Sequence, residues 1–337
     1  MPTRRVLVHI GLPKAASTSL QATLAASRPA FGENGIAYPV LGGGGTKDQR
    51  PLRGAIAGDP VDRAATVDGI AQCADAHTLI LSGETLSGGD PAGLASILEE
   101  GPFAGCGIEA FAIVRDPASW LNSMYAFRAI QFLETAAFPH FVAAALKEGH
   151  GDFGATFAKW AATRAAGGTV ASFTPLPLRS KIDNRSVITR LAELWDFGPD
   201  LLTEEEPRNE AADPRTVEAA RRLARRGLKS RDLPTRRKAR ALLQKAARAY
   251  GWAERFSGLN PALTARIASR TRANDLFART HWGENWNTIY AMPDPARLAP
   301  QFAELGERTE TEIAEVVESL SEQLALKRQS VFGWLRS

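Results

Sequence analysis

Arg5-Val-Leu-Val-His9-Ile10-Gly11-Leu-Pro-Lys14-Ala15-Ala16-Ser17-Thr18-Ser19 decides the fold of this chain. An apolar run ending at Ile10 has the length and composition of a buried strand. Gly11 to Ala16 reads as a tight turn. From Ser17 onward, three hydroxyl residues lead into apolar residues at helical spacing beginning with Leu20. A strand, a turn and a helix in that order aim the helix's unpaired N–H groups, and the positive end of its dipole, at one point past the strand. That point suits a phosphate.

Lys14 narrows the reading. In the pattern G-x-x-x-x-G-K-[ST], which cradles a magnesium-bound nucleoside triphosphate, the lysine directly precedes the hydroxyl residue that holds the metal. Here Ala15, Ala16 and Ser17 stand between Lys14 and Thr18, and the pattern's second glycine is missing. The turn is built for an anion in some other setting.

Outward from this motif, the first half of the chain alternates short apolar runs with helical patterns, as in an α/β fold with a parallel sheet. The pattern predicts strands over Arg5–Ile10, Gly35–Val40, His77–Ser82, Glu109–Arg115 and Thr169–Thr174, with helices starting near Ser17, Asp62, Pro91, Pro117 and Phe153. The glycine run Gly42–Gly45 reads as a loop. Beyond Arg185 the pattern is almost wholly helical, over Arg185–Trp195, Asp213–Lys229, Thr235–Tyr250, Asn260–Arg279 and Asp294–Leu326. The expected organisation is a P-loop-like α/β core over 1–180, with a central parallel β-sheet flanked by helices, and a mainly helical half over 181–337. That half either packs on the core to help form an acceptor site or continues the same domain.

The chain has 337 residues, 44% of them hydrophobic and 23% charged, with a formal net charge of +4. These values belong to an ordinary globular protein with room for a sizeable core. Cys73 and Cys106 form no metal or disulfide framework, which points to a reducing compartment. The N-terminal apolar run is too short for a secretory signal and no stretch reaches the length of a membrane span. A cytoplasmic location is the expectation. The sequence carries no signal for oligomeric state.

A second constellation lies at the end of the fourth predicted strand, Phe111-Ala-Ile-Val-Arg115-Asp-Pro117-Ala-Ser119-Trp120-Leu-Asn-Ser123. Pro117 sets the first turn of the next helix. Arg115 leaves the strand's carboxyl end, and Ser123 lies about two turns into the helix. In open parallel sheets ligands collect beyond the carboxyl ends of the strands. A ligand with two separated phosphates would satisfy both constellations.

Pro13-Lys-Ala-Ala-Ser-Thr-Ser19 resembles the 5′-phosphosulfate loop of sulfotransferases, and Arg115-Asp-Pro-x5-Ser123 resembles their 3′-phosphate motif, in which seven residues separate the Arg from the Ser. Order, spacing and strand–helix context agree. Phe157-Ala-Lys-Trp160 before Gly167-Gly-Thr-Val170, Arg208-Asn-Glu210 and Asn274-Asp-Leu-Phe277 are similar to segments of bacterial carbohydrate-type members. Ala16 stands where a glycine is common, and Ser119 and Trp120 near where an arginine is often found.

The resemblance implies 3′-phosphoadenosine-5′-phosphosulfate as donor, with no metal, and in-line transfer of the sulfuryl group to a hydroxyl or amine of a carbohydrate-like acceptor. Lys14 would meet the charge that builds on the breaking bond. Lys14, Ala15, Ala16, Ser17, Thr18 and Ser19 would hold the 5′-phosphate, and Arg115 and Ser123 the 3′-phosphate. An acceptor alcohol needs a base. Glu84, at the end of the third predicted strand, is the first candidate, and Glu33 the second. Glu84 equally suits an acid that complements a helix dipole. His9, between Val8 and Ile10, reads as a satisfied core histidine.

Two further features stay open on sequence alone. Between Arg221 and Arg248, twelve Lys and Arg residues accompany one acid, Asp232. A solvated helix face is the first reading, a groove for an acidic glycan the second, and a nucleic-acid surface the third, weakened by the scarcity of aromatics. Trp282, Trp286 and Tyr290 suit a buried helix edge first and a stacking surface for sugar rings second. The rival functions are a kinase-like nucleotide-binding protein and a non-catalytic basic binding protein.

Overall fold

The computed structural model describes residues 4–42, 47, 49–165, 168–203, 212–290 and 306–326. In chain order come β1 (Arg5–Gly11), α1 (Ser17–Ala26), α2 (Arg28–Glu33), β2 (Ile36–Ala37), α3 (Pro51–Ile56), α4 (Pro60–Ala71), β3 (Thr78–Glu84), α5 (Pro91–Leu98) and β4 (Ile108–Val114). Then follow α6 (Pro117–Ile130), α7 (Phe138–Lys147), α8 (Phe153–Ala165), β5 (Val170–Pro177) and α9 (Val187–Trp195). The remaining helices are α10 (Pro214–Arg225), α11 (Leu233–Ala249), α12 (Pro261–Arg270), α13 (Asn274–Trp282), α14 (Trp286–Ile289) and α15 (Glu307–Gln323).

The five strands form one parallel sheet in the order β2-β3-β1-β4-β5. β1 is central, and its side chains alternate between two buried faces. Val6, Val8 and Ile10 pack with Leu94, Ile97 and Leu98 of α5 and with Phe153, Phe157 and Trp160 of α8. Leu7 faces the other way, towards Leu20 and Leu24 of α1, Phe31 of α2 and Trp195 of α9. Helices therefore cover both faces, the α/β architecture the pattern predicted. The chain runs to one side of β1 for β2 and β3 and to the other for β4 and β5. Such a reversal opens a crevice at the strands' carboxyl ends.

Contacts divide the chain into two compact units, Met1–Asp116 with Gly151–Arg208 and Arg272–Met292, and Pro117–His150 with Asn209–Thr271 and Pro293–Ser337. The units interleave in sequence instead of meeting at residue 180. The cause lies in the aromatic residues after Arg272. Phe277, Trp286 and Tyr290 belong to the sheet-side core with Phe153 and Phe157, so α13 and α14 fold with the sheet. In the second unit, α10, α11 and α15 share one core around Leu223, Leu243 and Val317. A neighbouring core joins Tyr125 of α6, Val142 of α7 and Ile267 of α12.

Several expected boundaries differ. β2 covers only Ile36–Ala37, because Pro39 has no N–H to donate and ends the pairing. The helix expected over Asn260–Arg279 is two helices, since Asn274 is held elsewhere. Its Oδ1 accepts from Phe153 N at 3.0 Å and its Nδ2 donates to Gly151 O at 2.7 Å. Of the helix expected over Asp294–Leu326, α15 is the described part. Gly43–Gly45, Gly167 and Arg208–Glu210 lie outside the described residues. Among the described residues, no helix is long and apolar enough to cross a membrane.

Candidate functional site

Gly11 ends β1 in register with Glu84, the last residue of β3. The two strand ends are tied by Thr85 N donating to Gly11 O at 2.8 Å. A Cβ on Gly11 would lie 2.8 Å from Ser17 Oγ, 2.9 Å from His9 Cε1 and 3.1 Å from Gly83 O, so only glycine lets the turn fold back over the strand. Lys14 and Ala16 are both in the left-handed region, with φ of 61° and 64°. Turns of alternating handedness gather successive N–H groups into an anion-sized concavity.

The loop's components separate into supports and free donors. Ala15 is fully buried and its N–H reaches Leu12 O at 3.3 Å, so it braces the turn. Ser17 is buried as well, and its hydroxyl donates inward to Leu12 O at 3.2 Å. Ala16 is the N-cap of α1 and no side chain caps the helix. The N–H groups of Ser17, Thr18 and Ser19 therefore have no intrahelical acceptor. Thr18 is exposed and Ser19 partly so, leaving their hydroxyls accessible to a ligand.

Arg115 follows β4 and is half-buried, and its Nη1 donates to Lys14 O at 3.2 Å. The two cationic residues singled out in the sequence thus come together in the first unit. Burial pushes the Lys14 ammonium below its usual pKa, the Glu84 carboxylate opposes the shift, and Arg115 adds to it. Burial likewise lowers the Arg115 guanidinium, with Arg179 adding to the shift and Asp116 opposing it. Glu84 is exposed at the rim.

Sequence reasoning missed two residues here. Arg179 follows β5 as Arg115 follows β4, a parallel visible in Pro175-Leu-Pro-Leu-Arg179 once the strand is extended to Pro177. Thr85 has φ of 78° and an enclosed Oγ1 with no hydrogen-bond partner. Of seven non-glycine residues with positive φ among the described residues, four (Lys14, Ala16, Thr85 and Arg179) lie just past the carboxyl ends of β1, β3 and β5. Such conformations cost on the order of 1–3 kcal/mol each and gather at functional sites.

Glu33 ends α2 shortly before β2, at the amino-terminal edge of a parallel sheet. Strands of this length put that edge about 20 Å from the loop, too far for Glu33 to serve as the base there. His9 is fully buried, with Nδ1 2.9 Å from Ser82 Oγ and its ring 5.1 Å from Phe111. Its Nε2 has no partner, so the histidine is a core residue only half satisfied. Burial pushes its pKa down to about 3. Ser123 lies on α6, in the second unit, and is partly exposed.

The basic stretch divides into two classes. On α10, Glu218 is gripped by Arg221 and Arg222, Arg222 reaches Glu310 at 2.6 Å, and Arg226 reaches Glu318 at 2.5 Å. These arginines are structural cross-links, which corrects the expectation of a solvated face. Burial works against the ionised Glu218, and hydrogen bonds from the two guanidiniums outweigh it, leaving its pKa below the usual value. On α11 the expectation fits, since Arg237, Lys238, Lys245 and Arg248 are exposed. The Trp282 indole N–H donates to Pro175 O at 2.8 Å and the Tyr290 hydroxyl to Val114 O at 2.6 Å. Trp286 and Tyr290 are buried and Trp282 partly so, but Gly283 ends α13 after Trp282, while Trp286 opens α14 and Tyr290 caps it, so the three do not share one helix edge.

Cys73 and Cys106 are free thiols, each pushed up in pKa by burial. Among the described residues no group of three or more His, Cys, Asp or Glu is arranged to hold a metal. Compared with known proteins, the chain matches no family model and no curated protein.

Proposed function

We propose that this chain is a sulfotransferase that takes a sulfuryl group from 3′-phosphoadenosine-5′-phosphosulfate and passes it to a hydroxyl or amine of a carbohydrate-like acceptor. The observation that carries this reading is the hydrogen bond from Arg115 to the Lys14 carbonyl, which joins the two motifs of the resemblance at the carboxyl ends of β1 and β4. The strained backbone at Lys14 and Ala16, and the uncapped start of α1, support an anion at the same place.

On this reading the N–H groups of Ser17, Thr18 and Ser19 hold the 5′-phosphate, with Thr18 and Ser19 hydroxyls as further donors. Ala15, Ala16 and the Ser17 hydroxyl keep the turn in shape. Transfer forms a bond from the acceptor oxygen or nitrogen to sulfur and breaks the bond from sulfur to the oxygen it shared with the 5′-phosphate. Lys14 meets the charge that gathers on that oxygen, and its half-buried setting strengthens the interaction. Glu84, near enough to act on Lys14, takes the acceptor's proton. Arg115 grips the 3′-phosphate and orients the donor. Positioning and charge stabilisation supply most of the acceleration, as in phosphoryl transfer.

The test is sulfuryl transfer from labelled donor to a panel of sugars and amino sugars. Lys14→Ala is expected to lower turnover by about 100-fold or more with the fold intact. Arg115→Ala should act mainly on donor binding. Normal turnover in the Lys14 variant would refute the mechanism, whereas normal turnover in Glu84→Gln removes only the base.

A further inference from the structure

β4 and β5 run in parallel register to their ends, where Val114 pairs with Pro177 and Leu178 N donates to Val114 O at 2.6 Å. The two chains then leave the sheet side by side, one carrying Arg115 and the other Arg179. Neighbouring strands lie about 4.8 Å apart, so two arginines one or two residues beyond such a pair share one stretch of the carboxyl edge. The segment bearing Arg179 is pinned on both sides. Leu178 is tied to β4, and Lys181 N donates to Ile289 O at 2.8 Å. Between these anchors Arg179 adopts φ of 59°, a left-handed turn that an arginine takes only at a cost, and Ser180 next to it is buried.

Arg179 is exposed and makes no hydrogen bond or ion pair among the described residues. Its charge instead bears on Arg115, whose one acidic neighbour by charge is the adjacent Asp116. Two guanidiniums whose charges oppose one another are relieved by a dianion between them. Phosphate is the matching shape, since each planar guanidinium can donate two parallel hydrogen bonds to it.

We propose that Arg179 is a second arginine for the donor's 3′-phosphate, forming with Arg115 a two-guanidinium clamp built on the ends of β4 and β5. The assignment rests on the donor reading above, and it gives that site a residue supplied by neither motif. The clamp confers selectivity for a 3′-phosphorylated nucleotide over one bearing only a 5′-phosphate.

Calorimetric titration with adenosine 3′,5′-bisphosphate and with adenosine 5′-monophosphate tests this. In Arg179→Ala the bisphosphate should bind about 10- to 100-fold more weakly while the monophosphate changes less than about threefold. Arg179→Lys should recover part of the loss, because a point charge replaces the fork. The exposed position leaves folding intact, checked by an unchanged unfolding midpoint. Unchanged bisphosphate affinity in Arg179→Ala, or an equal loss for both nucleotides, overturns the clamp and leaves the donor reading standing. Failure of the wild-type protein to bind either nucleotide overturns both.

Discussion

His9 offers a perturbation whose size follows from the structure. Its ring is enclosed between β3 and β4, with one nitrogen on Ser82 Oγ and the other unpartnered. Burial holds its pKa near 3, against 6.5 for an ordinary histidine. At pH 7 it is neutral both in the fold and in the unfolded chain, and ionisation contributes nothing. Below pH 6.5 the unfolded chain takes up a proton that the fold refuses, so stability falls as the pH drops and goes on falling until about pH 3. The slope is about 1.4 kcal/mol per pH unit, or about 2 kcal/mol at pH 5. His9→Gln keeps a partner for Ser82 and removes the titration. Urea unfolding at pH 7.5 and pH 5 should show the wild type losing about 2 kcal/mol more than the variant. Carboxylates titrating in this range cancel in the comparison. A difference between the proteins that is the same at both pH values would refute the account of His9 as a neutral core residue.

Other consequences can be checked with single variants. Glu218→Gln leaves Arg221 and Arg222 without their shared carboxylate and should cost about 3–5 kcal/mol in denaturant unfolding. Lys245→Ser on the exposed face of α11 should change stability by less than about 0.5 kcal/mol in the same assay. Gly11→Ala forces a Cβ against Ser17 Oγ, His9 Cε1 and the Gly83 carbonyl, and should cost about 1–3 kcal/mol while weakening anion binding. Trp282→Phe removes the donor to Pro175 O and should cost about 1 kcal/mol by thermal unfolding, with no change in acceptor KM.

β1 and β3 were legible in the sequence because they are buried on both faces and carry the runs Val6-Leu-Val8 and Leu79-Ile-Leu81. The start of α1 was legible because the hydroxyl residues Ser17, Thr18 and Ser19 lead into apolar residues at helical spacing. Long-range events were not. Nothing local indicates that Asn274 is held by Phe153 and Gly151, so the break before α13 was invisible. The charge of Arg221, Arg222 and Arg226 looked like a solvated face because their acids Glu310 and Glu318 lie some 90 residues away in sequence. At the site, Lys14 and Arg115 were found because each sits in a recognisable motif. Arg179 escaped because the strand before it contains Pro175 and Pro177, which disguise its length. For Glu33, proximity to β2 in the sequence does not say which end of the sheet it occupies, and the structure puts it at the amino-terminal edge.

The central claim is that one site, centred on Lys14 and Arg115, holds a nucleotide with phosphates at both its 3′ and 5′ positions. Thermal unfolding with adenosine 3′,5′-bisphosphate in the absence of magnesium tests it most directly. Saturation at about 100 times the dissociation constant should stabilise the protein by about 2.7 kcal/mol, and Lys14→Ala and Arg115→Ala should each diminish the shift. No shift with the bisphosphate, together with a magnesium-dependent shift with adenosine triphosphate, would contradict the account.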